Sequence, residues 1–149
     1  MSEAERRARV VAVARSLVGV PYRPMGRTRA GLDCVGVLVV ALKEGLGVEV
    51  DPVGYPARPT SSQSFACARL YGLARIPGRA DLRPGDVALM RWNEQSSHFG
   101  IFTGRTVVLM SQFRGRVVET DAERTLAEHG VAYFRLPGIG EGGSSSSSS

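Results

Sequence analysis

At 149 residues the chain has the length of one domain, and its hydrophobic (43%) and charged (22%) fractions are those of a folded globular protein rather than a disordered or fibrous one. No apolar run reaches the roughly 18 residues that would span a bilayer, and two cysteines are too few for a disulfide scaffold or a structural zinc site. The formal charge is +5, but the basic residues are scattered and not interleaved with aromatics, which argues against a nucleic-acid partner; weak attraction to an anionic polymer, or solubility alone, accounts for the charge.

In chain order, residues 3–18 form a first helix with Val10, Val13, Ala14 and Leu17 on its inner face, ended by Gly19. Arg15 interrupts the apolar run Val10–Ala14 before it makes a signal h-region, and no small-residue cleavage site follows, so synthesis in the cytoplasm without a secretory signal is expected. Residues 20–26 are a turn-rich loop. A second helix runs over 33–45: Asp33 is its N-cap, Val35, Leu38, Val39 and Leu42 repeat at helical spacing, and Gly45 and Gly47 stop it. Residues 48–64, with three prolines, read as an irregular loop, and a third helix follows over about 62–74. The pattern then changes to strands at 87–92, 98–103, 107–112 and 116–120, with turns around Pro84-Gly85 and Arg114-Gly115 and a polar loop at 93–97. A short helix at 122–129, capped by Gly130, leads to a last strand over 131–136. Helices first and strands afterwards imply an α+β fold, an antiparallel sheet with helices on one side. One domain is expected over 1–138, and 139–149 reads as a flexible Gly/Ser-rich tail.

Two residues carry candidate chemistry. Cys34 falls in the first turn of the second helix, where the helix dipole favours a thiolate and an apparent pKa below the free-cysteine value of ~8.5 is expected. His98 opens a strand after a polar loop, where its ring can reach a cleft. A thiol at a helix N-terminus with a later strand histidine suits thiol catalysis: the imidazole takes the proton, the thiolate attacks a carbonyl, and helix-entrance N–H groups hold the oxyanion. Cys67 reads as a structural residue on a short helix. His129, near a helix C-terminus, reads as structural or surface.

Four short motifs occur in order: Val20-Pro21-Tyr22, Leu32-Asp33-Cys34-Val35-Gly36, Leu82-Arg83-Pro84-Gly85-Asp86 and His98-Phe99-Gly100-Ile101-Phe102. Together they resemble the NlpC/P60 family of cell-wall cysteine peptidases, whose pattern runs G-x-P-Y, D-C-S-G, L-x-P-G-D and H-V-G-I-Y. The ending Phe134-Arg135-Leu136-Pro137-Gly138 is similar to the phage-tail and gene-transfer-agent branch. The resemblance implies a papain-like core in circularly permuted order, with Cys34 as nucleophile and His98 as base. It implies that Tyr22 and Asp33 lie on the substrate side, Asp33 as a contact for a free amine. It also implies hydrolysis of an amide in the peptidoglycan stem peptide, of the D-γ-glutamyl–diaminopimelate type, with no metal or other cofactor and no membrane insertion. A phage-like tail would supply partner proteins and delivery to the wall.

The family's third polar residue, which orients the imidazole, stands about twelve positions after the histidine. Here that position is Met110, which cannot do this work. Ser111 faces the other side of the strand, whereas Gln112 shares the face of Met110 and has the right chemistry. The role is therefore carried to Gln112, on the expectation that the Gly104-Arg105-Thr106 turn shifts it two positions toward His98. Two alternatives stand beside the peptidase: a structural tail component whose activity has decayed, and a related thiol amidase or acyltransferase.

Overall fold

The computed structural model describes residues 1–50, 59–93 and 96–140. Part of the loop expected over 48–64, the tip of the polar loop at 93–97 and most of the tail lie outside these residues. Helix α1 spans Glu3–Ser16, started by a reciprocal capping box in which Ser2 Oγ accepts the Glu5 N–H (3.1 Å) and Glu5 accepts the Ser2 N–H (2.7 Å). A two-residue hairpin, β1 (Arg27–Thr28) and β2 (Gly31–Leu32), leads into helix α2 (Cys34–Val40), which continues as a widened π-type turn over Ala41–Gly45. Gly47, with φ +70°, closes it. Gly45 works by contact: a Cβ there would meet Val10 Cγ2 at 3.0 Å, so the glycine lets α1 and α2 approach.

Helix α3 covers Ser61–Leu70 behind a Thr60–Gln63 capping box. It ends four residues before the sequence expectation, because Gly72 turns the chain at φ +75° and Ala74–Ile76 becomes an edge strand, β3. Then follow β4 (Val87–Asn93), β5 (Ser96–Phe102), β6 (Thr106–Ser111), β7 (Arg116–Asp121), α4 (Ala122–His129) and β8 (Gly130–Arg135). The sheet order is β3-β8-β4-β5-β6-β7, antiparallel throughout, as expected for α+β.

Alternation along the strands sorts the side chains. Val87, Leu89, Phe99, Ile101 and Val108 join Val10, Leu17, Val35, Leu38 and Leu42 in the main core beneath α1 and α2. Ala88, Met90, Val107 and Leu109 point the other way and are covered by Ala122 and Leu126 of α4. The helices are therefore not all on one side: α4 takes the face that α1 and α2 leave. The Pro84-Gly85-Asp86 turn ties α1 to the sheet. Asp86 is fully buried and accepts from Arg7 of α1 at 2.9 Å and from Arg135 of β8 at 3.2 Å. Ile139 and Gly140, placed in the tail by composition, belong to the folded unit: Ile139 is fully buried, and Arg6 of α1 donates to its carbonyl at 2.9 Å. Among the described residues no helix is long and apolar enough to cross a membrane.

Candidate active site

Cys34 is the first residue of α2. Asp33 caps the helix as its spacing suggested, with Oδ1 accepting the Gly36 N–H at 2.7 Å. The same carboxylate accepts from Arg27 Nη1 (3.1 Å) and, through Oδ2, from the Met25 N–H (3.0 Å). Both oxygens are thus engaged within the chain. Gly36 is required by proximity, since a Cβ there would overlap the Gly26 carbonyl. Tyr22 bridges to Leu32, two residues before the cysteine, and its N–H donates to Gly115 O at 2.8 Å. Tyr22, Asp33 and Cys34 therefore meet at the helix entrance.

The sulfur is buried. It accepts hydrogen bonds from the N–H groups of Phe99 and Val35, which favour the thiolate, but burial and the neighbouring Asp33 carboxylate outweigh them and push the thiol up to about 12. The low value expected from the helix dipole is thereby corrected: a dipole at the surface helps a thiolate, whereas a thiol enclosed by core loses more in hydration than it gains. The first-turn donors are largely committed. Val35 N–H goes to sulfur, Gly36 N–H to Asp33 Oδ1 and Val37 N–H to the Asp33 carbonyl. Among the described residues, these contacts leave the Cys34 N–H for an oxyanion. Cys67 of α3 is a second free, buried cysteine.

The Phe99 contact sets the thiol against the peptide that directly follows His98. His98 itself is 7% exposed and sits opposite Met90 in the ladder. Its ring and that of Trp92 meet in a T-shaped arrangement with centroids 5.8 Å apart, and Trp92 stacks on His129 at 4.3 Å with an 18° interplanar angle. His98, Trp92, Gln112 and His129 line one cavity of about 1020 Å³ beside α4, while Cys34 lies outside it on the α2 side.

Gln112 reaches this cavity by a route other than the expected slip. The β5–β6 pairs Phe102↔Val107, Ile101↔Val108 and Gly100↔Leu109 run in unbroken register from the Gly104 turn, so nothing shifts there. Gln112 lies one residue beyond β6, in the turn before β7, and is half-buried. It is a turn residue and not a strand neighbour of Met110, which is fully buried. His129, expected to be structural or surface, has a 25% exposed side chain, and its Nδ1 lies 3.2 Å from the Arg91 carbonyl. Trp92 and His129 line the cavity with His98, a juxtaposition that the sequence does not predict. The one available signal was that Trp92 is the only tryptophan in the chain.

The NlpC/P60 family matches residues 19–133. Among curated proteins the chain is 33% identical over 119 residues to a probable endopeptidase of Mycobacterium tuberculosis, covering 78% of this chain and 27% of that protein. It is 31% identical over 86 residues to the murein DD-endopeptidase MepS/murein LD-carboxypeptidase of Escherichia coli K12, covering 58% of this chain and 39% of that one. The chain thus spans well under half the length of these relatives. Of the solved structures, the NlpC/p60 domain of the peptidoglycan hydrolase SagA superposes with a TM-score of 0.64 at 18% identity, covering 87% of this chain and 98% of that one. NlpC1 from Trichomonas vaginalis gives 0.67 at 17% identity, covering 89% and 44%. At such identities these two likenesses speak to the fold.

Proposed function

The chain belongs to the NlpC/P60 family, and from that premise we propose that it is a cysteine peptidase acting on the stem peptides of peptidoglycan. The observation that carries the reading is the placement of Cys34 at the start of α2, with its sulfur held by the N–H that follows His98. At rest the thiol keeps its proton. His98 takes that proton as the sulfur attacks the amide carbonyl, the Cys34 N–H receives the developing oxyanion, and the imidazolium protonates the leaving amine. Water then attacks the thioester with His98 again as base, releasing the acid and restoring the thiol. Gln112, on the cavity wall with His98, is the candidate to orient the ring, and Tyr22 and Asp33 stand on the substrate side. Within this reading the bond cut is of the D-γ-glutamyl–diaminopimelate type. The similarity of residues 134–138 to the phage-tail branch supports a setting in which tail proteins are partners and carry the enzyme to the wall.

Digestion of purified peptidoglycan by wild type and Cys34→Ala, with mass spectrometry of the released fragments, tests both the activity and the bond. Fragments carrying a new D-glutamyl terminus from wild type alone are expected; no release by either protein overturns the reading. The burial of Cys34 and the methionine at the family's third position favour one second reading, a catalytically silent structural component of a tail. Co-purification with tail particles in the absence of any wall hydrolysis would support it.

A further inference from the structure

We propose that Trp92 and His129 are positioning residues for His98: His129 holds the indole, and the indole holds the imidazole. The inference rests on the reading of His98 as the base. Two irregularities of the sheet converge on this stack. Between β4 and β5 the register passes from Arg91↔Ser97 to Asn93↔Ser96, so Trp92 is the extra residue of a bulge. Between β4 and β8 it passes from Leu89↔Ala132 to Met90↔Gly130, so Val131 is the extra residue of a second. Bulges re-aim side chains and recur beside active sites. Here the first turns Trp92 out of the ladder onto His98, and the second sits directly after His129.

The resulting order is His98, Trp92, His129, with ring centroids 5.8 Å and 4.3 Å apart. His98 is 7% exposed, and the two rings outside it are more open to solvent, Trp92 at 43% and the His129 side chain at 25%. The Arg91 carbonyl, 3.2 Å from Nδ1, fixes the His129 ring at the end of α4. A T-shaped contact with the indole fixes the tilt of the imidazole and keeps water from its flank. A protonated His129 would also bind the indole face as a cation. Among the described residues, the charged and titratable groups around His129 are Glu128 and Arg124 on its own helix, Arg91 from β4, His98 from β5, Arg114 from the turn before β7, Glu119 and Asp121 from β7, and Tyr133 from β8.

Because Trp92 is the only tryptophan, the intrinsic fluorescence of the full chain reports the stack directly. An imidazolium in contact with indole quenches it more than neutral imidazole does. Emission should fall as the pH is lowered from 8 to 5, lose most of that response in His129→Phe and lose the remainder in His129→Phe/His98→Gln. In peptidoglycan assays Trp92→Ala should lower kcat about 100-fold, the scale of a misplaced catalytic group, with KM unchanged. His129→Ala should lower kcat less, Trp92→Phe and His129→Phe should recover most of the loss, and Trp92→Ala/His129→Ala should be no slower than Trp92→Ala. Additive losses, or a rise in KM with kcat intact, would overturn the proposal by making the pair substrate contacts. If wild type does not cut peptidoglycan, the reading of His98 as base falls. The stack is then decided by fluorescence alone, and Trp92 emission insensitive to pH overturns it.

Discussion

The two faces of the sheet differ in how completely they are closed. Under α2, Val35 and Leu38 lie on Leu89, Phe99 and Ile101, all at most 1% exposed, and the cysteine is enclosed with them. Beside α4 the cover is a single short helix. Ala122 and Leu126 shield Met90 and Leu109, but beyond them the sheet opens into the cavity that holds His98, Trp92 and Gln112. The nucleophile candidate thus belongs to the closed face and the base to the open one, joined through the Phe99 peptide. Burial explains why the thiol resists ionisation, and the open face leaves His98 on the wall of a cavity.

The largest expected effect comes from removing the sulfur on the closed face. Cys34→Ala should reduce release of peptidoglycan fragments to background, a loss on the order of 10⁶ if it behaves as nucleophiles do elsewhere. Cys67→Ala should keep most of the activity, because that thiol lies on α3 with no base assigned to it. Equal losses from both, with circular dichroism unchanged, would show that the cysteines act together and that Cys34 is not a lone nucleophile.

Next in size is the ion cluster that joins α1 to the sheet. Asp86 is completely buried between Arg7 and Arg135, so Asp86→Ala removes the ion-pair partner of Arg135 and leaves the buried Arg7 with only the partly exposed Glu3, and should cost about 3–5 kcal/mol in urea unfolding. Glu119→Ala removes a pair whose side chains are 52% and 27% exposed and should cost less than about 1 kcal/mol. Similar costs for the two would mean that the Asp86 cluster is as solvated as the surface pair.

What was legible in the sequence follows the same division. Helix α2, its Asp33 cap and the strands over β4 to β8 could be read because apolar periodicity and capping are local signals. The position of α4 on the second face could not, since a short amphipathic helix carries no mark of which face it will cover. Arg7 lies three residues before Val10 on the inner stripe of α1, but its buried partner Asp86 is 79 residues away. The grouping of Trp92 and His129 with His98 has no sequence signature, because bulges bring them together. The thiol was misjudged because the helix dipole is evident from position, whereas burial is a property of the assembled core.

Gln112 tests whether the open face completes the catalytic group. It lines the cavity with His98 from the turn after β6. An imidazole acts as base only when its other nitrogen is held, and an amide oxygen can hold it. Gln112→Ala should fold normally and lose ~10- to 1,000-fold in kcat/KM, more than Ser111→Ala and less than loss of the nucleophile. Met110→His places an imidazole at the family position within a fully buried site. A gain of activity from that change would mean that Gln112 does not fill the role, and no gain together with a Gln112→Ala loss would assign it.

The smallest effect is the one that reads the closed face most directly. The Cys34 thiol is raised from its ordinary value of 9.0 to about 12, with burial as the first cause. The folded state therefore holds a proton that the unfolded chain releases above pH 9. Between these values the native state binds more protons than the unfolded one, so stability is fully present below pH 9 and declines as the pH rises toward 12. At pH 10, one unit above the unfolded value, the expected loss is about 1.4 kcal/mol from this thiol. Cys67, also raised by burial, adds to the same slope. The slope of unfolding free energy between pH 8 and 10, compared in wild type and Cys34→Ala, isolates the Cys34 part whatever the substitution does to stability itself. A flatter slope in Cys34→Ala is expected. Parallel slopes would mean that the sulfur already shares its proton with His98 in the resting protein, and alkylation of wild type by iodoacetamide would then be fast near neutral pH and slowed by His98→Ala.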